Sequence, residues 1–373
     1  MDASQEAQAA KLGRAQIDLD ELAAIAARAA GAYDGAPQLE CLTVEPVPGE
    51  VYNMTTECLH RVGGIVDGLP FSLIVKVCRS PLYWPGIAQV PEALREYLTS
   101  VINWRTELDA YTGLLAATLP EGMAMPVIYL VRELPGEYAA IWMQDVLDGP
   151  EPWEEARFAR AAYLLGRFAG TPATPPPAER PLRFFYEGAA RHVFIPRLLS
   201  REPEDNPVIA QAADPALLAD LRAFALRAED YLAELEALPR LRAHGDASPQ
   251  NLFASNGSMT AIDWGSYSLQ PVGFDLGQLL AGRINSGELG PDALPALAPL
   301  VQDEYARGLE EAGARIPRAV VRRGHVLSMA IFNCLSALSP RELADGDSPA
   351  LRERLRTRAG MARFLLDAVR ETA

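Results

Sequence analysis

The segment His244–Gly265 contains three polar side chains whose types and spacing could carry out chemistry. Asn251 follows Asp246 by five positions, and Asp263 follows Asn251 by twelve. A carboxylate can orient a hydroxyl group and accept its proton. Carboxylate and amide oxygens are also suitable ligands for Mg²⁺. Because phosphoryl transfer from ATP needs both functions, we predict that Asp246 is the base and that Asn251 and Asp263 hold Mg²⁺.

A β-hairpin is expected to bring the two metal ligands together. Short apolar runs at residues 251–253 and 259–262 flank the dipeptide Asn256-Gly257. Asn-Gly is favoured in type I′ hairpin turns because both central residues of the turn need a positive φ. Asn251 would then begin one strand, and Asp263 would follow the end of its partner. The hairpin therefore predicts that these two side chains lie close in space.

Lysine is rare in this chain, and the position of one lysine is informative. Of the 34 basic residues, only Lys11 and Lys76 are lysines. Lys76 lies in the apolar, β-branched run Phe71–Val77, which predicts a buried strand. A charge in such a strand needs a partner. Since Arg is the usual cation of this chain, Lys76 suggests a site for a compact ammonium group. A lysine that extends from an edge strand into solvent is the alternative.

These motifs resemble those of the aminoglycoside phosphotransferase and choline kinase family, a phosphotransferase enzyme family with a kinase-like fold. The triplet His244–Asp246 is similar to the family's His-Gly-Asp catalytic loop, and Gly273–Leu276 is similar to its Gly-x-Asp-Leu segment. The resemblance implies that Lys76 contacts the nucleotide phosphates. It also implies that His244 and Asp275 support the catalytic loop structurally.

The resemblance further implies a glutamate that pairs with Lys76. Glu107 lies in a predicted helix at residues 104–115 and is followed four positions later by Tyr111, an aromatic residue as in the family. Glu96 is closer to Lys76 in the sequence and is the alternative partner.

Two other segments resemble nucleotide-binding parts of the family. The residues from Pro48 to Thr56 are similar to its glycine-poor loop over the nucleotide, with Gly49 and Asn53 at the usual positions. Residues 141–146 are similar to the last strand of the small lobe and the hinge, where the backbone of Gln144 and Val146 would bind the adenine edge. A buried edge strand without a ligand would show the same pattern.

Composition argues against several other classes of protein. A net charge of −15 disfavours binding to nucleic acid or to an anionic membrane. The four cysteines lack Cys-x-x-Cys spacing, and neither a signal peptide nor a membrane-spanning stretch is recognisable, so we expect a cytoplasmic protein with reduced thiols. No lysine follows a glycine and no two glycines have Gly-x-Gly spacing, which excludes a Walker A loop and a Rossmann fingerprint. No obligate protein partner is evident.

The resemblance, which covers about residues 40–285, implies an α+β, bilobal, protein-kinase-like fold. A chain of 373 residues is long enough for two domains. We expect an N-terminal helical extension at 1–35, a small nucleotide-binding lobe at 36–146 with an antiparallel sheet and a helix, and a large helical lobe at 147–373 with the catalytic loop and the acceptor site. Apolar patterns predict three strands within 41–77, strands near 126–132 and 138–146, and helices at 153–170, 182–200 and 215–237.

Together these expectations describe an ATP- and Mg²⁺-dependent O-phosphotransferase that acts on a free hydroxyl of a small molecule. Ser248 stands where protein kinases usually have a lysine, and too few residues separate Asp263 from Gly273 for an activation loop, so a protein substrate is not expected. The acceptor would be an antibiotic, either aminoglycoside-like or another natural product, or a sugar or amino alcohol. The sequence does not distinguish ATP from GTP. The alternative is a catalytically silent kinase-like protein that binds a nucleotide or small molecule; such proteins typically lose the base, the metal-binding Asp or the Lys, and this chain keeps all three.

Overall fold

The computed structural model describes residues 3–32, 36–48, 53–90, 92–173, 177–178, 182–255, 258–338, 343 and 346–372. The chain divides into two compact units. The first comprises Met1–Ala116 and Ala124–Asp148, and the second comprises Ala117–Met123 and Gly149–Ala373. The first unit is built around an antiparallel sheet and the second is mostly helical, so the predicted α+β class is confirmed.

The first unit contains a five-stranded antiparallel sheet with the order β1-β2-β3-β6-β5. All three strands expected within residues 41–77 are present, as are the two later ones. Its helices lie before β1 and between β3 and β5. The elements are α1 (Ala3–Ala9), α2 (Leu19–Ala30), β1 (Leu39–Pro46), β2 (Thr56–Val66), β3 (Leu69–Arg79), α3 (Glu92–Val101), α4 (Thr106–Thr112), β5 (Ile128–Leu134) and β6 (Tyr138–Gln144). The two-residue β4 (Met123–Ala124) precedes β5 and belongs to another sheet.

Alternation along β3 gives this sheet an apolar core on each face. Leu73, Val75 and Val77 are buried in a cluster that includes α2. The intervening side chains point to the opposite face, because successive side chains of a strand alternate. There, Cys78 is buried in a second cluster with Leu108 of α4. Lys76 has the same parity as Cys78, so the alternation places its ammonium group on the α4 side.

The second unit is formed mainly by helices. It also contains a short antiparallel pair, β7 with β10, and the hairpin of β8 with β9. The elements are α5 (Glu155–Gly170), α6 (Arg183–Phe185), a π-helix (Tyr186–Phe194), α7 (Ile195–Leu199), α8 (Glu202–Asp205), α9 (Pro207–Ala210), α10 (Pro215–Leu226), α11 (Ala228–Ala237), β7 (Arg240–Ala243), β8 (Leu252–Ser255), β9 (Ser258–Ala261), β10 (Ser268–Pro271), α12 (Phe274–Asn285), α13 (Leu294–Glu311), α14 (Arg318–Leu335) and α15 (Pro349–Glu371).

Helices α5 and α13 pack closely against each other. A Cβ atom at Gly166 would lie 2.1 Å from the Tyr305 carbonyl oxygen, and one at Gly308 would lie 2.2 Å from the Tyr163 carbonyl oxygen. Glycine at both positions therefore lets the two backbones approach within a distance that no other residue permits. This contact fixes α5, whose first turns contact the segment that contains the predicted site residues. Of the helices in the described ranges, none combines the length and the hydropathy needed to cross a lipid bilayer.

Candidate active site

The predicted catalytic loop follows β7 and is held by a carboxylate from α12. Asp275 lies in the first turn of α12 and is 1% exposed. Its two oxygens accept hydrogen bonds from the backbone N–H groups of His244, at 2.8 Å, and Gly245, at 2.9 Å. Burial raises the pKa of Asp275 to about 6, and the two N–H donors oppose that rise. The structure therefore places Asp275 where it can fix the loop just before Asp246.

His244 connects this loop to the end of the hairpin. Its Nε2 donates to the Ile262 carbonyl at 2.9 Å, and its Nδ1 accepts from the Asp246 N–H at 3.3 Å. Since a carbonyl only accepts and an N–H only donates, these partners select the tautomer with the proton on Nε2. Burial lowers the pKa of His244 to about 4, so the ring is neutral at physiological pH. The ring centroid lies 4.4 Å from that of Trp264, which is itself fully buried.

Gly245 is required by the path of the loop. Its φ is +85°, in the left-handed region, and a Cβ atom there would lie 2.0 Å from the Ser266 carbonyl oxygen. Only glycine satisfies both the conformation and the close approach. The loop can therefore pass against residue 266, which lies shortly after the predicted metal ligand Asp263.

Asp246 and Asn251 are joined by a direct hydrogen bond. The Asn251 side-chain Nδ2 donates to the Asp246 backbone carbonyl at 2.9 Å. With its nitrogen engaged in this way, Asn251 has its Oδ1 as the atom that would serve a metal ion. Asp246 is thus held on both sides of its own backbone, through its N–H by His244 and through its carbonyl by Asn251.

The hairpin brings the second carboxylate into the same region. Leu252 pairs with Ala261 across the two strands, and the Ile262 N–H donates to the Asn251 carbonyl at 3.0 Å. The two strands match the predicted ones to within about two residues at each end, while the turn at residues 256–257 lies outside the described residues. Asp263 has φ 58° and ψ 61°, a left-handed conformation that is uncommon for any residue except glycine. Chain direction thus changes at the residue predicted to bind the metal.

The side chains in this region fit a magnesium ion that is shared with a nucleotide. Asn251 supplies an amide oxygen and Asp263 a carboxylate. In the described part of the chain, no three His, Cys, Asp or Glu side chains converge on a point that could hold a metal. Mg²⁺ in phosphoryl-transfer sites usually takes only one or two protein carboxylates and completes its octahedron with phosphates and water. The donor set is therefore suitable for Mg²⁺ bound with ATP, and unsuitable for an all-protein metal cage.

In the first unit, Lys76 forms a buried ion pair with Glu107. The Lys76 Nζ lies 2.6 Å from the Glu107 Oε2, and the two side chains are 6% and 5% exposed. The pair forms because α4 covers the sheet face to which Lys76 points. Glu96, the alternative partner, is exposed on α3. The structure thus places Glu107 beside Lys76. Helix α4 is shorter than the predicted helix at 104–115 and ends before Gly113.

The two residues predicted to form the hinge, Gln144 and Val146, differ in their contacts and position. The Gln144 N–H donates to the Val127 carbonyl at 2.8 Å, and its side-chain Oε1 accepts from the Val127 N–H at 3.2 Å. The Gln144 backbone N–H is thus used by the sheet. Val146 follows the strand and is partly buried.

Asp145, between these residues, has a structural role that the sequence did not predict. Its carboxylate accepts from the Arg61 Nε at 2.8 Å and Nη2 at 3.2 Å, and from the Ser72 Oγ at 2.6 Å. These contacts fix the backbone at the end of β6. The available signal was an acidic residue directly after a buried strand, but its partners on β2 and β3 could not be read from the sequence.

The loop predicted to cover the nucleotide lies partly outside the described residues. Gly49 lies outside the described residues. The Asn53 Oδ1 accepts from the Thr55 N–H at 2.9 Å and from the Thr55 Oγ1 at 2.7 Å. The Asn53 side chain therefore shapes the turn that leads into β2.

The model of the phosphotransferase enzyme family matches residues 99–318 of this chain, which is more than half of its length. The chain belongs to this family. The match includes Glu107, the catalytic loop, the hairpin and Asp275, whereas Lys76 precedes the matched segment. The protein is therefore a phosphotransferase with the kinase-like α+β fold that the sequence predicted. No curated protein matches the chain.

Two solved structures are examples of what this chain is similar to. The aminoglycoside phosphotransferase APH(3'')-Id from Streptomyces rimosus, in complex with ADP and streptomycin, is 21% identical, with a TM-score of 0.43 over 77% of this chain and 91% of that chain. A choline/ethanolamine kinase family protein from Mesorhizobium loti is 18% identical, with a TM-score of 0.48 over 94% of this chain and 99% of that chain.

Proposed function

We propose that this phosphotransferase transfers the γ-phosphoryl group of Mg²⁺-bound ATP to a hydroxyl group of a small molecule. The observation that carries the proposal is the set of contacts that join Asp246, Asn251 and the strand before Asp263 around the catalytic loop. Asp275 fixes the loop, Asn251 is hydrogen-bonded to Asp246, and the hairpin pairing connects Asn251 to the strand that leads to Asp263. A base and two oxygen ligands of this kind are the parts that phosphoryl transfer needs from a protein.

Each residue has a defined task in this proposal. The Asp246 carboxylate orients the acceptor hydroxyl and takes its proton as the new O–P bond forms and the bond from the γ-phosphorus to the β–γ bridging oxygen breaks, which releases ADP. Asn251 and Asp263 would hold Mg²⁺, which when bound neutralises charge on the phosphates. The Lys76 ammonium contacts the phosphates, and Glu107 fixes its position.

The nucleotide base would be bound by the backbone after β6. We propose that the Gln144 carbonyl and the Val146 N–H pair with the adenine edge, and that Gly49 and Asn53 belong to the loop that covers the phosphates. A carbonyl and an N–H two residues apart can accept from and donate to an adenine edge. GTP is the alternative donor.

The proposed domains follow from these residue roles. We assign nucleotide binding to residues 36–146, and we assign the catalytic loop and the acceptor site to residues 147–373, with 1–35 as an N-terminal helical extension. The four cysteines are free thiols, which fits a cytoplasmic enzyme.

We propose that the helical segment from α6 to α8 contributes to the acceptor site, so that its charges indicate the acceptor class. Arginines of this segment are paired with carboxylates of the same segment and of α11. Arg183 binds Glu236 through two hydrogen bonds of 2.9 and 2.8 Å, and Arg191 binds Glu187 at 2.8 Å. Since these carboxylates are already neutralised, the segment offers no uniform negative surface to a polycation. We therefore propose an acceptor that carries hydroxyl groups and few charges, such as a sugar, an amino alcohol or a weakly basic natural product.

The test is an acceptor screen with product detection. Protein, ATP and Mg²⁺ are incubated with sugars, amino alcohols, aminoglycosides and other hydroxylated antibiotics, and each mixture is analysed by mass spectrometry for an acceptor that has gained one phosphoryl group. We expect at least one phosphorylated acceptor and a matching release of ADP. Mg²⁺-dependent nucleotide binding with no phosphorylated acceptor in any class would favour a silent binding protein instead.

A further inference from the structure

The outer edge of strand β8 is occupied by two groups from the segment around the start of α5. The Gly149 N–H donates to the Ala254 carbonyl at 2.8 Å, and the Arg157 Nη2 donates to the Leu252 carbonyl at 3.0 Å. Carbonyls two residues apart point to the same side of a strand. The opposite side of β8 is paired with β9. The strand that follows Asn251 is therefore held along both of its edges.

Arg157 is an unusual residue for this task because it is charged and fully buried, with 1% exposure. Its guanidinium donates from Nη1 to the Glu151 carbonyl at 2.6 Å, in addition to the bond to Leu252. The guanidinium carbon lies 4.2 Å from the centre of the Trp153 ring. Burying a charge is costly unless hydrogen bonds compensate for it. A planar guanidinium can hold two carbonyls in fixed directions, which an ammonium cannot do.

The anchored carbonyl is directly connected to both proposed metal ligands. Leu252 follows Asn251 in the chain and pairs with Ala261, which precedes Asp263 by two residues. The Asn251 carbonyl also accepts the Ile262 N–H at 3.0 Å. A displacement of the Leu252 carbonyl would therefore move Asn251 directly, and it would move Asp263 through the strand pairing.

We propose that Arg157 is a positioning residue that sets the spacing of the two magnesium ligands, although it touches neither the metal nor the nucleotide. This inference rests on the proposed function, since it assumes that Asn251 and Asp263 hold Mg²⁺ with ATP. It assigns the buried charge a specific task. Groups that hold metal ligands in place typically change metal affinity or activity by about 10–100-fold when they are removed.

The experiment compares Arg157→Met and Arg157→Lys with Arg323→Met. Arg323 is a matched control because it is also buried, at 9% exposure, and also donates to a backbone carbonyl, that of Val369 at 2.8 Å. It lies on α14 and belongs to neither the loop nor the hairpin. Calorimetric titration with ATP at a series of Mg²⁺ concentrations gives the Mg²⁺ concentration for half-maximal enhancement of binding, and melting curves check the fold.

We expect Arg157→Met to raise that Mg²⁺ concentration by about 10-fold or more, with little change in ATP affinity without Mg²⁺. Arg157→Lys should give a smaller rise, because an ammonium can reach only one of the two carbonyls at a time, and it serves as the test if the Met variant does not fold. Arg323→Met should lower the melting temperature without changing the Mg²⁺ dependence. Wild-type Mg²⁺ dependence in the folded Arg157 variants, or an equal change in Arg323→Met, would overturn the inference. Absence of Mg²⁺-dependent ATP binding in the wild type would instead overturn the proposed function and this inference with it.

Discussion

The buried ion pair allows the structural and the functional roles of Lys76 to be separated. Lys76 and Glu107 lie 2.6 Å apart, and both side chains are almost completely buried. At an effective dielectric constant of about 20, two unit charges at that distance attract by roughly 6 kcal/mol. Desolvation of the two charges offsets most or all of this attraction. The large energy is therefore expected when one partner is removed and the other charge stays buried.

The perturbation is a double-mutant cycle of Lys76→Met, Glu107→Leu and the combined variant. Each single change should destabilise the protein by about 3–5 kcal/mol, because it leaves one buried charge without its partner. The combined variant replaces both charges with apolar groups of similar size next to the apolar cluster around Leu108. Its stability should return to within about 1 kcal/mol of the wild type, or exceed it.

The assay measures the free energy of unfolding in urea and, separately, phosphoryl transfer. We expect the combined variant to be stable but to have lost most of its transfer activity, since no ammonium remains for the phosphates. A combined variant that is destabilised by the sum of the single effects would refute the mutual compensation. A stable combined variant with nearly wild-type transfer would refute the role of Lys76 in catalysis.

Three further predictions test other parts of the site and the core. Asp263→Ala should abolish the Mg²⁺ dependence of ATP binding in calorimetry, and an unchanged dependence would contradict its role as a metal ligand. Lys76→Arg should reduce transfer nearly as much as Lys76→Ala does, because the broad guanidinium does not fit beside a helix carboxylate; near wild-type rates with an unchanged melting temperature would argue against this. Burial lowers the pKa of His325 to about 3. The stability that the neutral ring contributes is therefore complete above the pKa of this histidine in the unfolded chain, and it is lost as the pH falls below that value. The stability of the wild type relative to His325→Asn should therefore fall by about 3 kcal/mol between about pH 7 and about pH 4, and a constant difference would count against the shift.

Much of the site could be predicted from the sequence because its signals are local. The hairpin was recognisable from an Asn-Gly turn between short apolar runs, and the described strands pair as that pattern requires. Lys76 was recognisable as a charge within an apolar strand, and its partner was one of two helix glutamates. The alternation of β3 then decides between them, since α4 covers the face to which Lys76 points.

The remaining features depend on contacts between distant parts of the chain. A helix was predicted for residues 182–200, but in the structure its centre, Tyr186–Phe194, is a π-helix. The apolar spacing of a helix does not distinguish its hydrogen-bonding pattern. Arg157 was an ordinary charged residue in the helical pattern of α5, although its guanidinium is bound to the Leu252 carbonyl. The contact of Arg157 has no local signal, because it joins residues 95 positions apart in the sequence.

The most direct test of the proposed mechanism is single-turnover transfer by Asp246→Asn on an acceptor that the wild type phosphorylates. The substituted side chain keeps the size of Asp246, and the contacts of its backbone with His244 and Asn251 should remain. We predict unchanged ATP binding and melting temperature, with the rate of transfer reduced by about 10²–10⁴-fold because the base is lost. A variant that binds ATP normally and retains more than about one tenth of the wild-type rate would contradict the assignment of Asp246 as the base.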